Sequence, residues 1–510
     1  MSNKTLVVIG AGLAGLATAG YAAMNGYRTI VFEQAVRPGG LACAWQRGAY
    51  TVEGGIHFVP DPSPGDPLHR LYEELGVPAE SFTILDPALR FIDEITDRSV
   101  DVTHDLDRLA LELKSVRASD YARILELVNA AKSLQGLTIG ILEKPVELMS
   151  FADKAARTWR MRRALRLFAG PFARPAREYA KTMDSPFTAR LVSQLFSSDA
   201  PLWLAIATLA LAAENRLGLL KQGSAGLVGP IETQAKELGC NMRYQSPVAA
   251  VRIANDRVGG VELADGEIVE ADYVVSAADG RRTLFELLDG RYLDDATRLR
   301  YASWPVCAGL FMATFGVTRT FAGLPPLWTI ILQRPFFIGN HTIDTIFVRL
   351  FDYAPSFAPP GHGVVQVSFE TDWEYWHTLA ETDPERYAEE KDRLASECLH
   401  RLESYFAGIR RRVVLTNVAT PHTTERYTSN YRGSIMGWLP TPEALTTEIP
   451  HTLPGLSGFL MAGQWVTPGG GVSGCIQSGR NVVQLLCRMD DRAFHTAPRR
   501  SRPPFGKDAR

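Results

Sequence analysis

The first residues with the spacing to do chemistry form a glycine-rich turn near the start of the 510-residue chain. Gly10, Gly12 and Gly15 fit the pattern G-x-G-x-x-G, and the helix that would follow opens with Leu13 and Ala14. In this pattern one glycine makes a tight turn, one lets the backbone approach a pyrophosphate, and one packs a helix closely on a strand. The N-terminus of that helix would offer free N–H groups and a positive dipole end. The turn therefore predicts a phosphate-binding site.

The neighbours of the glycine turn make the prediction more specific. Apolar, β-branched residues precede it at Thr5–Ile9, an alanine-rich stretch follows it, and Thr29–Phe32 is apolar again. This order of strand, turn, helix and strand is one βαβ unit. Glu33 ends the second strand, where a carboxylate accepts both ribose hydroxyls and disfavours a 2′-phosphate. We therefore predict a dinucleotide site, and the alternative is a glycine turn with a purely structural role.

Two further glycine pairs follow, and both allow the backbone to come close to a cofactor. They lie in the segments Gly39-Gly40-Leu41 and Gly54-Gly55-Ile56-His57. Near the other end, Gly463 and Gln464 precede a third glycine-rich stretch at Pro468–Gly474.

These motifs, in this order, resemble the FAD-dependent family of phytoene desaturases, carotenoid isomerases and retinol saturases, within the amine-oxidase-like flavoprotein superfamily. The resemblance extends to six more segments: Met461–Trp465, Ser478–Arg480, Thr420–Thr423, Arg426–Thr428, Gly433–Ser434 and Gly223–Gly226. It covers the whole chain apart from the tail and implies FAD as the cofactor. It also implies cofactor contacts at Gln34, Val248, Gly463, Gln464, Gly471, Val472 and Ser473. The family often carries an acidic residue where this chain has Gln464, whose amide can still hydrogen-bond.

The resemblance to the retinol saturases places the Gly-Ile-His segment near the isoalloxazine ring. Histidine is the side chain best suited to exchange a proton near neutral pH. We therefore interpret His57 as a group that tunes the flavin or protonates the substrate, with a histidine held by the backbone as the alternative. Glu53 is either the partner of His57 or a carboxylate at the end of a strand.

The whole sequence is predicted to be an α/β protein with a Rossmann-like FAD-binding domain and an interleaved α+β substrate domain. We assign residues 1–104, 223–290 and 455–491 to the FAD-binding domain and residues 105–222 and 291–454 to the substrate, or cap, domain. Residues 492–510 are rich in proline and arginine and are predicted to form a disordered tail.

Composition excludes several functions and suggests a compartment. The formal net charge is −2, so no overall positive field favours nucleic acid. The six cysteines form no CxxC pair and no spacing typical of a metal site, so we predict no metal. Met1 is followed almost at once by a strand, which leaves no room for a signal peptide and predicts a cytoplasmic protein.

A basic run between Lys154 and Lys181 raises the possibility of a membrane contact. Its basic residues are Arg157, Arg160, Arg162, Arg163, Arg166, Arg174 and Arg177, with Trp159, Leu165, Phe168 and Phe172 between them. This pattern suits a helix that lies on an anionic membrane surface. The alternative is a solvated helix of the cap domain whose apolar stripe faces the core.

The predicted function is redox chemistry by FAD on carbon–carbon bonds of an apolar, isoprenoid or polyene substrate. Desaturation, saturation and cis–trans isomerisation all remain open. No second G-x-G-x-x-G stands between a strand and a helix, so electrons would pass to an external acceptor such as oxygen or a quinone. The alternatives are a flavin amine oxidase and a non-enzymatic prenyl-binding escort protein, which would need no flavin. The oligomeric state is not predicted.

Overall fold

The computed structural model describes residues 4–136, 144–162, 167–168 and 170–497. Its strands are β1 (Thr5–Ile9), β2 (Arg28–Phe32), β3 (Ala44–Arg47), β4 (Tyr50–Glu53), β5 (Val59–Pro60), β6 (Phe82–Ile84), β7 (Leu89–Asp93), β8 (Arg98–Val102), β9 (Leu217–Leu220), β10 (Asn241–Arg243), β11 (Val248–Ala254), β12 (Arg257–Leu263), β13 (Ile268–Glu270), β14 (Tyr273–Ser276), β15 (Gly309–Val317), β16 (Leu327–Ile338), β17 (His341–Leu350), β18 (Gly363–Thr371), β19 (Val413–Ala419) and β20 (Phe459–Met461). 

The helices alternate with these strands, as in an α/β protein. They are α1 (Leu13–Met24), α2 (His69–Glu74), α3 (Leu106–Val116), α4 (Tyr121–Leu134), α5 (Phe151–Arg160), α6 (Ala176–Ala180), α7 (Pro186–Gln194), α8 (Leu202–Ala213), α9 (Ala225–Glu237), α10 (Gly280–Arg282), α11 (Asp295–Ser303), α12 (Trp373–Thr382), α13 (Pro384–Glu403), α14 (Pro421–Thr428), α15 (Pro442–Thr446) and α16 (Gly471–Met489). Within the described residues, no helix combines the length and apolar character that crossing a bilayer requires.

A parallel sheet in the order β10-β2-β1-β14-β20 forms the centre of the cofactor domain. Successive side chains of a strand point to opposite faces, and here both faces are covered. Leu6 and Val8 pack into one core with α1, α9 and α16. Val7 and Ile9 pack into a second core with the antiparallel strands β11 and β12. Burial on both faces explains why these strands read as continuous apolar runs in the sequence.

A mostly antiparallel sheet in the order β19-β15-β18-β17-β16-β7-β8 forms the centre of the substrate domain. One face is apolar, where Phe311, Val367 and Val348 pack against Leu394 and Cys398 of α13. The opposite face lies against the β4–β5 connection of the cofactor domain, since Gln366 donates a hydrogen bond to the carbonyl of Glu53 at 2.8 Å. The two domains therefore meet on this second face.

The structure corrects the boundaries predicted for the two domains. β7 and β8 fall inside the predicted cofactor segment 1–104, yet they pair onto β16 at the edge of the substrate-domain sheet. Tyr301 and Ile449 fall inside the predicted substrate segment, yet they pack against the second core of the cofactor domain. Strand propensity does not specify which sheet a strand joins, so these boundaries needed tertiary contacts.

The predicted tail begins later than residue 492. The ring of Phe494 packs beside Tyr21 of α1, with 5.9 Å between the ring centroids. The backbone of His495 exchanges two hydrogen bonds of 2.8 Å with the side chain of Asn25. Residues 492–497 are therefore part of the folded chain, and the rest of the predicted tail lies outside the described residues.

The basic run is divided between two different environments. None of the residues of α5 is buried. Phe172 and Tyr179, further along the run, are buried in the helical core of the substrate domain. Arg163, Leu165 and Arg166 lie outside the described residues. The exposed part of the basic run is therefore the segment around α5, and the membrane contact stays a prediction.

Candidate cofactor and substrate site

The first glycine turn has the geometry that its sequence predicts. Gly10 has a φ of +94°, in the region that favours glycine. A Cβ on Gly15 would lie 1.9 Å from the carbonyl oxygen of Gly10, so only glycine lets α1 pack this closely on β1. Gly12 precedes Leu13 and Ala14, the first residues of α1, and makes no side-chain cap. The N-terminus of α1 is thus built to receive an anion.

The segment Gly39-Gly40 packs against the first glycine turn. The backbone N–H of Gly39 donates to the carbonyl of Ala11 at 2.9 Å. Gly39 has a φ of +123°, and a Cβ there would lie 2.5 Å from the carbonyl oxygen of Ala42. A Cβ on Gly40 would lie 3.3 Å from the Cα of Gly12. The Gly10–Gly15 turn and Gly39-Gly40 thus form one glycine cradle, in which the backbone is not covered by side chains. A dinucleotide fits this cradle because its phosphates need close approach of the backbone.

Glu33 lies at the edge of this cradle, buried to 7% exposure. One carboxylate oxygen accepts the N–H of Ala11 at 2.7 Å and the other accepts that of Ala35 at 2.8 Å. Burial raises the pKa of Glu33, and the backbone hydrogen bonds oppose the rise. Each oxygen keeps a second lone pair, so the carboxylate can hold its turn and still accept ribose hydroxyls.

Gln34 and Val248 occupy the region next to Glu33. The side-chain oxygen of Gln34 accepts hydrogen bonds from Arg282 at 3.1 Å and from Ser429 at 3.0 Å. Val248 begins β11 and is buried. The backbone leading to it runs along β2, since the N–H of Ser246 donates to the carbonyl of Glu33 at 2.9 Å. Their contacts with a cofactor stay a prediction.

The C-terminal glycine segment lies beside α1. Gly463 has a φ of +106°, and its N–H donates to the hydroxyl of Ser478 at 2.9 Å. A Cβ on Gly479 would lie 2.6 Å from the carbonyl oxygen of Ala14, so α16 and α1 cross in close backbone contact. The side-chain amide of Gln464 donates a hydrogen bond of 3.1 Å to the side-chain oxygen of Asn430.

The N-terminus of α16 is a second uncapped helix end. The helix begins with Gly471, Val472 and Ser473, and neither a side-chain cap nor an acidic residue satisfies its first turn. These three residues are only partly buried. Two uncapped N-termini, on helices that cross at Gly479, suit an elongated ligand with separate electron-rich groups.

Glu53 serves as the anchor of the third glycine pair. Its carboxylate accepts the N–H groups of Gly55 at 3.1 Å and Ile56 at 3.2 Å, and the N–H of Ser224 at 2.7 Å. The hydroxyl of Ser224 also donates to it. The third glycine pair packs directly against the backbone that follows Gly40, because a Cβ on Gly55 would lie 2.0 Å from the carbonyl oxygen of Leu41. Glu53 was predicted to be either the partner of His57 or a carboxylate at the end of a strand. These contacts favour the second interpretation.

His57 is held in its neutral form. Burial and the nearby positive charge of Arg349 lower the pKa of His57 to about 3. This shift favours the neutral imidazole. The predicted roles of His57, protonating the substrate or tuning the flavin, stay predictions.

Arg349, which the sequence analysis missed, lies beside His57. It is only 4% exposed, and its Nη2 donates to the carbonyl of Ile56 at 2.7 Å. Its Nε has no hydrogen-bond partner among the described residues. A single arginine inside the apolar strand β17 was the available signal, because a charge in such a strand must face a partner or a cavity.

The sheet face that carries Arg349 has further polar groups. Gln366 lies opposite both Thr314 and Arg349 in the strand register, and its amide donates to Thr314 at 2.9 Å. Ser368 is 1% exposed, and its hydroxyl has no partner among the described residues. The alternation of polar residues in β18, at positions 366, 368 and 370, could have revealed this face from the sequence.

Glu370 ends this polar row, and the sequence analysis also missed it. Its side chain is exposed to solvent, yet burial raises the pKa of its carboxyl. Glu370 lies on the same sheet face as Gln366, which contacts the cofactor domain. Its neighbours on this face are apolar, since Leu310 lies opposite Glu370 and packs with Met312 and Ile435. This sheet face therefore combines apolar side chains with one carboxyl whose pKa is raised.

Comparison with known protein families places this site in context. The sequence profile of the family described as "Flavin containing amine oxidoreductase" matches residues 13–487. This range begins at the first residue of α1 and ends within α16. It includes the substrate-domain sheet and every glycine segment that follows Leu13.

Two curated relatives resemble the chain over nearly its whole length. The lycopene-forming phytoene desaturase of Pseudescherichia vulneris is 25% identical, over 95% of this chain and 99% of that protein. Prolycopene isomerase 1 of an Oncidium hybrid cultivar is 25% identical, over 93% of this chain and 82% of that protein.

Solved structures share the fold at lower identity. An oxidoreductase from Methanosarcina mazei has a TM-score of 0.60 at 16% identity, over 94% of this chain and all of that one. A putrescine oxidase double mutant has a TM-score of 0.60 at 14% identity, over 95% of this chain and 99% of that one.

Proposed function

The chain belongs to the family of flavin-containing amine oxidoreductases, and on that premise we propose that it desaturates carbon–carbon bonds of a polyene or other isoprenoid chain. Its cofactor is FAD, which the glycine cradle and Glu33 would hold at the nucleotide end. The observation that carries the substrate class is the end-to-end similarity to a phytoene desaturase and a prolycopene isomerase. A flavin amine oxidase and a prenyl-binding escort are less favoured, because neither accounts for these two relatives.

The residues of this sheet face suit this chemistry. When bound, FAD would supply the two-electron oxidant that desaturation requires, and the substrate would also lose a proton. We propose Glu370 as the group that accepts this proton, because its carboxyl has a raised pKa and shares a sheet face with Gln366, which contacts the cofactor domain. Leu310, Met312 and Ile435 supply apolar surface for a hydrocarbon chain. The electrons would leave to an external acceptor, either oxygen or a quinone.

The test is anaerobic turnover of the purified protein with an acyclic polyene such as phytoene. We expect a flavin absorption spectrum that bleaches when phytoene is added, together with a product that has more conjugated double bonds. Readmission of oxygen or a quinone should restore the spectrum. Peroxide release with amines but no reaction with polyenes would instead identify an amine oxidase. A colourless protein that takes up no FAD would favour the escort protein.

We further propose that α5 brings the protein to an anionic membrane surface, from which an apolar substrate could enter. Phe151 is 88% exposed and Trp159 is 66% exposed, so both rings stand in solvent. Arg157 and Arg160 lie on the same helix, and the guanidinium of Arg162 lies 4.1 Å from the centroid of the Trp159 ring. Exposed aromatic residues between basic ones favour the interface of an anionic bilayer.

Vesicle sedimentation tests the membrane contact. We expect the protein to sediment with vesicles that contain phosphatidylserine at low salt and to stay in solution with phosphatidylcholine alone. The double substitution Phe151→Ser and Trp159→Ser should abolish sedimentation, whereas Phe337→Ser, at an aromatic ring that is 62% exposed elsewhere, should not. Equal sedimentation of both variants, or none by the wild-type chain, would contradict the proposal.

A further inference from the structure

Two histidines and a glutamate meet where two helices of the substrate domain pack together. His377 lies on α12, and His422 and Glu425 lie on α14, which packs beside it. His422 and Glu425 are three residues apart and so share one face of α14. One ligand atom from each of the three residues lies within 4.8 Å of the other two. All three side chains are partly buried.

The distance between the two imidazoles matches metal coordination better than a direct hydrogen bond. Their Nδ1 atoms lie 3.4 Å apart. Nitrogen ligands 2.0–2.1 Å from a tetrahedral Zn²⁺ ion are about 3.3 Å apart. An N–H hydrogen bond between the same atoms would be shorter, at about 2.9–3.0 Å.

Neighbouring side chains hold each of the three groups in place. The ring of His377 stacks on Trp373 at 4.4 Å between centroids, and that of His422 meets Tyr387 edge-on at 5.9 Å. Glu425 accepts hydrogen bonds from the indole N–H of Trp373 at 2.5 Å and the backbone N–H of Arg432 at 3.1 Å. Such outer contacts orient ligands in metal sites.

The electrostatic surroundings suit a cation. Two carboxylates, those of Glu381 and Glu425, and one guanidinium, that of Arg426, lie near His422.

We propose that His377, His422 and Glu425 bind a divalent transition-metal ion, with Zn²⁺ as the ion that fits the spacing. The ion would join α12 to α14. The first residue of α14 contacts the substrate-domain sheet, because a Cβ on Gly309 would lie 2.6 Å from the Cβ of Pro421. The ion would therefore hold α12 against the helix that packs on β15.

Zinc titration of the chelator-treated, FAD-loaded full-length protein tests the site. We expect calorimetry to show one Zn²⁺ ion per chain, and His377→Gln, His422→Gln and Glu425→Gln each to weaken binding at least about tenfold. His341→Gln is the matched control, because this exposed histidine lies 3.4 Å from Asp372 but, among the described residues, belongs to no group of three potential ligands. Its affinity should equal that of the wild type.

Thermal unfolding gives a second readout that does not depend on turnover. Because Zn²⁺ would bind only the folded chain, it should raise the Tm of the wild type and of His341→Gln but not that of His422→Gln. Similar FAD content and Tm without zinc would show that the variants fold. No saturable binding to the wild type, or unchanged binding in both histidine variants, would overturn the proposal and leave the imidazoles as a simple polar contact.

Discussion

At the scale of single residues, Arg349 combines two features that stability alone does not favour. Its guanidinium is almost fully buried, and within the described residues no carboxylate lies at ion-pair distance from it. Burial accordingly lowers the pKa of Arg349. An uncompensated buried charge costs free energy, so its retention beside His57 is explained better by binding or chemistry than by folding.

The substitution Arg349→Met separates these two roles. We expect the free energy of unfolding to stay the same or rise, because methionine fills similar space without an unpaired charge. Turnover should fall at least about tenfold, since the sheet face that meets the cofactor domain loses its positive charge. Denaturant unfolding and steady-state kinetics measure the two effects. A folded Arg349→Met protein with wild-type turnover would contradict the expected role.

The pKa values of Glu370 and His57 are shifted in opposite directions, which favours Glu370 as the group that exchanges a proton. Burial raises the pKa of Glu370, whereas the pKa of His57 lies near 3. As a base, Glu370 is active when deprotonated, so turnover should rise as the pH rises through its raised pKa. We expect Glu370→Gln to lower kcat by about 10²-fold or more and to remove this limb of the pH profile.

His57→Gln is the matched comparison for Glu370→Gln. This substitution should leave the limb of the pH profile in place, even where it changes the rate, because a neutral imidazole contributes no titration there. The assignment would be wrong if His57→Gln removed the limb and Glu370→Gln retained it.

At the scale of elements, the glycine segments work as one assembly. Gly39 closes over the turn that starts α1, and Gly55 packs against Leu41 behind it. Each contact brings backbone against backbone, where a Cβ has no room. The N-terminus of α1 therefore stays open to a phosphate only while all three segments keep their spacing.

The substitution Gly39→Ala should disrupt this assembly. Its φ of +123° strains any other residue, and the added Cβ would meet the carbonyl oxygen of Ala42 at 2.5 Å. We expect the purified variant to retain little FAD, as read from the ratio of flavin to protein absorbance. Gly229→Ala in α9 is the control, because a Cβ there meets nothing within 4 Å and should leave FAD content unchanged. Equal FAD loss in both variants would argue against the cradle.

At the scale of the whole molecule, a row of hydrogen bonds connects the two domains at the cofactor site. Glu147, from the segment assigned to the substrate domain, accepts a hydrogen bond of 2.8 Å from Nδ1 of His451. His451 lies 3.4 Å from the hydroxyl of Ser478, which in turn accepts the N–H of Gly463. A change at Glu147 can therefore reach a glycine of the cofactor site.

This row predicts sensitivity to acid. Burial opposes ionisation of Glu147, but hydrogen bonds from His451 outweigh it and lower the pKa of Glu147 to about 2. Because the folded-state pKa lies below the usual value of 4.5, the stabilisation is complete above that pH and is lost as the pH falls towards 2. Because Glu147 is exposed to solvent, Glu147→Gln should remove only about 1 kcal/mol of this acid dependence, measured by denaturant unfolding between pH 5 and pH 3. Glu270→Gln, at an exposed position of β13, is the control and should leave the pH dependence of the free energy of unfolding unchanged. The same result for Glu147→Gln would contradict a stabilising role for the Glu147–His451 contact.

Local patterns in the sequence were sufficient for the first elements of the cofactor domain. The strand at Thr5–Ile9 has the predicted bounds, and the helix after the first glycine turn begins at Leu13, as predicted. These elements are specified by apolar periodicity and by glycines, which act over a few residues.

What only the tertiary structure decided is which distant residues meet. The sequence by itself determined the α/β class, the glycine turns and Glu33, because each depends on neighbours along the chain. It did not reveal that Arg349 and Glu370 share one sheet face between the domains, that β7 and β8 join the substrate-domain sheet, or that His377 meets His422. These relations arise from strand pairing and domain packing across long stretches of chain, and no short-range pattern encodes them.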